Sequence, residues 1–461
     1  MKKPPIKVRL ISSPDQNPKE ITKLAALECK GKSKAKINLN HLFQSTHHTP
    51  FQHNYFTFQI KNIAIADITF GLHLTHPFYN SDQKSGSLCA QMFENPDFER
   101  MESYIKIFWP QIKPGNLKKI MAYIKKCTEI YNKNFPKTLE ETKKLIKKER
   151  PYADEKFLKQ RAPKINQEQL RMFIPSIFPT SIVYTLNLTA LAAMYESAWN
   201  PVLRFITQEM AEEILKTTPE LDFLFKKSAR RKTNWHPYLD KTSKNKIVDE
   251  VEAVFDFESL SKLINKETSA NYTLPDYKIM SPLDKLHFTP ELMNNTFEEI
   301  KAQIKGPLVT MGQDQRHRTI KRSIPIFTGD FYLPPIAKKC DLEKEAKKVL
   351  KMWKNLSKKI PGTLAAVIAP LGCVVHYKKR GSLNAVCHEQ SGRLCWFHQR
   401  EIYELSRQLR ASIKKQFKKH PILKLLEPPC YKSGKCTRGE FYCGRDLMMR
   451  KENNYFPKRK V

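Results

Sequence analysis

The chain has no apolar run approaching the ~18 residues that a membrane span needs. Behind Met1-Lys-Lys-Pro-Pro there is no apolar core of the kind a secretory signal carries. Neither insertion nor export is expected, and the protein is read as cytoplasmic. Acidic residues are in short supply: 46 Asp and Glu face 81 Lys and Arg, a net charge of +35. Glycine is scarce at 14 of 461 residues, and apolar content, 40%, lies somewhat below the globular average. The 26 Phe and 17 Tyr nevertheless argue against a disordered polymer, and the length suggests two to three domains.

What the chain does have is lysine. A basic balance of this size suits a polyanionic partner such as nucleic acid or nucleotides. The lysines are diffuse, however: Lys118-Lys119, Lys143-Lys144, Lys147-Lys148, Lys378-Lys379 and Lys418-Lys419 form no single stripe. Solvated helix faces are the plainer reading, with a nucleic-acid surface as the alternative. The ten cysteines are expected as reduced thiols. Three of them, Cys430, Cys436 and Cys443, are spaced like half a zinc site, for which His388, His398, Cys387 or Cys395 could supply a fourth ligand; ordinary thiols are the alternative.

Composition and pattern divide the chain into a polar arm (1–26), a folded unit (27–225), a charged Trp- and Pro-dotted linker (226–280), a second folded unit (281–420) and a basic, Cys-containing tail (421–461). Thr57 to Ile63 alternates as a strand does. Residues 97–131 read as two helices broken at Pro110 and Pro114-Gly115, and 138–171 as an exposed helical insertion. Leu186 to Leu215 reads as helix interrupted at Asn200-Pro201. The two units look like faint copies. Pro175 precedes Asn187 by the same twelve residues as Pro370 precedes Ser382, and Leu188–Leu191 then overlies Leu383–Val386.

Two clusters concentrate functional side chains. The first is His47-His48-Thr49-Pro50-Phe51-Gln52-His53, directly before a strand; metal, phosphate or a plain polar loop are its three readings. The second is Arg316-His317-Arg318, whose two guanidiniums suit phosphate or an anionic ring.

Together they resemble the flavin-dependent thymidylate synthases. That family carries His-x-Thr-Pro-Phe-Glu-His-x-x-Phe-Thr-Phe, matched by His47 to Phe58 with Gln52 at the Glu place. It also carries Arg-His-Arg, a Ser-Gly-Arg-Tyr loop and a helix with a nucleotide-gripping Arg. The resemblance implies an α/β (α+β) chain of two diverged copies of that fold, each with helices around a small sheet. The first copy keeps the His-Thr-Pro-Phe segment, Ser85-Gly86 and Arg171, but has His73-Leu74-Thr75 for Arg-His-Arg and Ser87-Leu88 for Arg-Tyr. Its closing helix has Ala193 and Ala198 at polar and Arg places. The second keeps Gln313, Arg316–Arg318, Asn384, His388 and Arg393, without a convincing His-Thr-Pro-Phe segment; Ala366 stands at the Arg171 place and Ile326 at the serine place.

Losses that mirror each other imply one composite site. On this resemblance Gln83, Ser85, Arg171, Gln313, Arg316 and Arg393 bind dUMP, with Ser85, Arg316 and Arg393 closest to the chemistry. His47, Thr49, Gln52, Arg316, His317, Arg318, Asn384 and His388 hold FAD. Methylenetetrahydrofolate supplies the carbon, reduced flavin the hydride, and NAD(P)H the reductant. The family assembles as a homotetramer, so a homodimer forming a pseudo-tetramer is expected. No cysteine falls in these motifs, as in a family without the covalent thiol of other thymidylate synthases. The competing reading is a non-catalytic, nucleic-acid-binding or scaffolding descendant, favoured by the charge and the eroded loop.

Overall fold

The computed structural model describes residues 4–31, 36–74, 79–85, 89, 92–231, 236–240, 245–264, 290–418, 420–433, 436, 438–439, 442–445 and 456–461. In the first half the chain runs through β1 (Lys7–Ser12), α1 (Pro18–Lys30), β2 (Tyr55–Ala64), the helical turns Ile65–Asp67 and Ile68–Leu72, and β3 (Tyr79–Gln83). Three long helices follow, α2 (Phe98–Phe108), α3 (Pro114–Glu149) and α4 (Glu155–Leu170). The half closes with β4 (Pro179–Asn187), α5 (Leu188–Ser197) and α6 (Pro201–Leu215). Its strands form an antiparallel sheet of order β1-β2-β4-β3. The alternation in β2 does this locally: Phe56, Phe58 and Ile60 point into the core while Tyr55 and Lys61 face out.

The second half contains β5 (Ile247–Val248), β6 (Glu252–Asp256), β7 (Glu299–Pro307), α7 (Leu308–Asp314), β8 (Lys321–Arg322) and β9 (Ile326–Tyr332). It ends with α8 (Glu343–Ser357), β10 (Cys373–Ser382), α9 (Leu383–Arg393) and α10 (Arg400–Phe417). The sheet order is β5-β9-β10-β7-β6, with β8 also on β10. This is a mixed α and β protein.

One succession of elements occurs twice. β2, its helical turns, β3, β4, α5 and α6 are answered in order by β7, α7, β9, β10, α9 and α10, with the same strand neighbours, β2-β4-β3 and β7-β10-β9. The first helical N–H after β4, that of Leu188, donates to the Asn54 carbonyl just before β2, and that of Leu383 donates to Glu298 just before β7. Between the halves, Pro175 bridges Pro370. Around it Ser176 N–H donates to Ala369, Leu371 N–H to Ile174 and Gly372 N–H to Met172, at 2.8–2.9 Å.

The helix breaks fall where Pro110, Pro114 and Asn200-Pro201 put them, and Asn200 Oδ1 caps α6 by accepting from Leu203 N–H at 2.7 Å. Four segments set apart by composition take part in the fold. The arm 1–26 contains β1, paired along β2, and most of α1. The linker 226–280 supplies β5 and β6 to the second sheet; its residues 265–280 lie outside the described residues. The insertion 138–171 buries Leu145, Ile146, Phe157 and Leu158 with Ile336 in a small core of its own. The tail returns to the body at 456–461. Half-exposed edge strands and one-faced helices need few apolar residues, so low hydropathy disguised them.

Candidate functional site

Where the halves meet there is a cleft lined by Gln83, Ser85, Arg171, Gln313 and Arg316, over a floor that includes Ile65, Phe93 and Leu371. Its free volume is about 60 Å³. Gln83 and Ser85 reach it from the end of β3. The chain beyond is held by Gln167 of α4, whose amide donates to the Cys89 carbonyl and accepts from Met92 N–H. Gly86, Ser87 and Leu88 of the expected loop lie outside the described residues. Arg171 follows α4 at the foot of the inter-half bridge. Gln313 and Arg316 come from α7 and the turn after it.

Arg171 and Gln313 are joined by a residue not singled out above. Arg171 Nη2 and Gln313 Nε2 each donate to Gln399 Oε1 at 2.7 Å. Arg393 stands one layer back: its Nη2 donates to the Gln313 carbonyl at 2.7 Å, and it does not line the cleft. Its Nη1 lies 3.3 Å from His398 Nδ1, which burial holds well below the usual imidazole range and so leaves neutral, able to accept. Burial also pushes the Arg393 guanidinium down to about 10. Several donors here are buried without an acceptor among the described residues: Arg171 Nε, Arg393 Nε and Gln399 Nε2. Glu168 and Glu401, the carboxylates that act on Arg171, each keep one oxygen without a partner among the described residues.

Arg316 is exposed at the mouth, with no hydrogen bond or ion pair among the described residues. Its turn is fixed from behind by Arg322, which donates to the carbonyls of His317 and Ile320 and pairs with Asp314 at 2.8 Å. Lys379 bridges Asp314 and Glu389, and Tyr377 donates to Asp314. Although burial pushes the Asp314 carboxyl up, Arg322 and Lys379 hold it well below the usual carboxylate range.

The residues expected to hold FAD do not converge within the chain. Arg318 is committed to β3: its Nη2 donates to the Ser81 hydroxyl and carbonyl at 2.8 and 3.0 Å, and its guanidinium lies over the Tyr79 ring. His317 meets His388 edge to face at 5.7 Å. Asn384 is sealed in the core, its amide donating to the Leu292 carbonyl. His47, Thr49 and Gln52 precede β2 on the far side of β4, where Thr189 donates to the His48 carbonyl. No hydrogen bond or ion pair joins them to Arg316, His317 or Arg318 among the described residues.

The zinc expectation finds no support: among the described residues, Cys430, Cys436 and Cys443 included, there is no group of three or more His, Cys, Asp or Glu side chains that could hold a metal ion. Two features escaped the sequence. Gln399 is defined by contacts to residues far away along the chain. His287-Phe288-Thr289-Pro290 repeats the His-x-Thr-Pro of His47–Pro50, 240 residues on (287 − 47) and just before β7; its first three residues lie outside the described residues. Aligning the two halves by their strands would have found it. No described helix is long and apolar enough to cross a membrane.

The family model "Thymidylate synthase complementing protein" matches residues 9–221. Among solved structures, a UMP/dUMP methylase, PolB, from Streptomyces cacaoi is similar at 15% identity, with a TM-score of 0.33 over 48% of this chain and 95% of that one. Thymidylate Synthase X from Helicobacter pylori, with FAD and dUMP, is similar at 13% identity, with a TM-score of 0.31 over 49% of this chain and 100% of that one. Comparison with curated proteins returns no match.

Proposed function

We propose that this chain, whose residues 9–221 match the thymidylate synthase complementing protein family model, methylates dUMP at one cleft to which both halves contribute. The observation that carries this reading is the ring of donors. Arg171 and Ser85 from one half and Gln313 and Arg316 from the other face a common space. Beside it, Arg171 Nε is buried without an acceptor among the described residues. A buried unsatisfied donor costs about 1–3 kcal/mol, and an oxyanion in the cleft would relieve it. Arg316, uncommitted and exposed, is suited to take the phosphate, with Ser85 and Gln83 across the cleft from it. Arg393, behind Gln313, supports the site rather than touching the nucleotide. Activation of the ring carbon without thiol addition is part of this reading.

Methylenetetrahydrofolate is the carbon source, and FAD with NAD(P)H the reductant, in this reading. The proposed flavin residues do not fit a flavin within one chain, because Arg318 is bound to β3 and Asn384 to Leu292. A pair of chains, a pseudo-tetramer of four halves, is the assembly this reading requires.

Calorimetric titration with dUMP tests the proposal. Binding is expected, and Arg316→Ala, which removes one charge-assisted contact, should weaken it by about ten- to a hundredfold without loss of thermal stability. A folded protein that ignores dUMP and UMP would overturn it. The cleft's small free volume, about 60 Å³, favours a second reading, a non-catalytic polyanion binder. That reading instead expects salt-sensitive retention of nucleic acid and no nucleotide binding.

A further inference from the structure

Residues 456–461 are a short basic segment with no role in the reading above, and Gln399 is a buried amide between two of its key side chains. We propose that Gln399 is the positioning residue that locks the two halves of the cleft together, and that residues 456–461 strap it in place.

Gln399 Oε1 accepts from both Arg171 and Gln313, so one atom fixes side chains that lie on opposite halves of the chain. Gln399 occupies the N-cap position of α10, yet its side chain makes no capping bond there and reaches Arg171 and Gln313 instead. Held in this way, the Arg171 guanidinium presents a fixed edge to the cleft rather than sampling rotamers. A fixed edge reduces the ordering cost of gripping a ligand.

The loop that carries Gln399 is clamped from the other side. Arg459 Nη1 donates to the His398 carbonyl at 3.1 Å, and its guanidinium lies against the rings of Trp396 and Tyr403 at 5.2 and 5.0 Å. The Arg459 backbone is itself held on α10: its N–H donates to Glu404 Oε1 at 2.8 Å, and its carbonyl accepts from Arg400 Nε at 2.6 Å. Tyr403 donates to the Pro457 carbonyl. The N–H groups of Lys460 and Val461 then donate to Glu149, at the end of α3 in the first half. The strap thus ties the first half to the loop whose glutamine ties Arg171 to Gln313. None of its residues lines the cleft.

The test has two readouts, because the effect on nucleotide rests on the proposed function whereas the positioning does not. Without nucleotide, slowly exchanging guanidinium protons of Arg171 are followed by nitrogen-15 NMR. Their signal should be present in the wild type, kept in the isosteric Gln399→Glu, which retains the acceptor, and lost in Gln399→Leu and Arg459→Ala. With dUMP as the probe, Gln399→Leu and Arg459→Ala should each bind about tenfold more weakly. An Arg171 signal that survives Gln399→Leu, or disappears in Gln399→Glu, overturns the role of Gln399. One that survives Arg459→Ala overturns the strap. A wild type with the expected signals that ignores dUMP leaves the positioning standing and sinks the nucleotide reading alone.

Discussion

At the residue scale the most exposed liability is a carboxylate in the wrong place. Asp67 is 1% exposed, and among the described residues the Tyr104 hydroxyl and, at 3.4 Å, the Asn200 amide stabilise its charge. Burial outweighs both and pushes its pKa up to about 7. The folded protein therefore holds a proton that the unfolded chain, near 3.8, has released. Between these values the native state binds more protons, so stability must fall as pH rises from about 4 to about 7. A shift of this size corresponds to a loss on the order of 4 kcal/mol. Asp67→Asn, which cannot ionise, should flatten that fall, and urea unfolding at pH 5 and pH 8 reads it directly. An unchanged difference between the two pH values in the variant would assign the slope elsewhere. Nothing in the sequence marks Asp67, since its neighbours Ala66 and Ile68 read only as apolar; the cost arises from Tyr104 and Asn200 closing over it.

At the scale of elements, the register between the halves depends on a close approach. A Cβ at Gly372 would sit 2.8 Å from the Met172 backbone carbonyl, and Gly372 N–H donates to that same oxygen. Gly372→Ala should force the 172–176 and 369–372 segments apart, costing about 1–3 kcal/mol, and because Arg171 and Leu371 adjoin the contact it should loosen the cleft as well. Thermal unfolding beside dUMP titration measures both, and an alanine variant as stable as the wild type would show that the bridge yields. The elements themselves were largely legible. Pro110, Pro114 and Asn200-Pro201 mark real helix ends, and the alternation from Thr57 to Ile63 is β2. What misled was polarity. Lys7–Ser12 and Glu252–Asp256 are edge strands, solvated on one side, so their charges read as arm and linker. The site was legible in part: Arg316-His317-Arg318 stands out as local donor chemistry, whereas Gln399 and Arg459 acquire meaning only through long-range contacts.

For the whole molecule, a doubled arrangement poses the question of a second cleft. Three residues before His73, at the place of Gln313, stands Phe70; Ala366 answers Arg171, and Ala198 answers Arg393. These positions are buried, and the space among them is filled. Phe70 packs edge to face on Phe327 at 5.8 Å, and Phe327 lies 5.2 Å from Trp353. The Trp199 indole donates to the Phe70 carbonyl, and the Trp109 indole to the Thr363 hydroxyl. Such a packed core stabilises the joined halves through buried area and offers no cationic partner for a phosphate. It also explains why the mirror positions could lose their polar residues without leaving a void. If the proposed function holds, each chain should bind one nucleotide, not two, whatever the number of chains in the assembly. Equilibrium titration with dUMP, with the chain count fixed by light scattering, should give a stoichiometry of one per chain. Enlarging the mirror core with Phe70→Ala should cost stability, about 3–5 kcal/mol by the usual toll of deleting a buried aromatic, without creating a second site. A stoichiometry of two in the wild type would mean that the apolar half opens to ligand, and would remove the case for a single shared cleft.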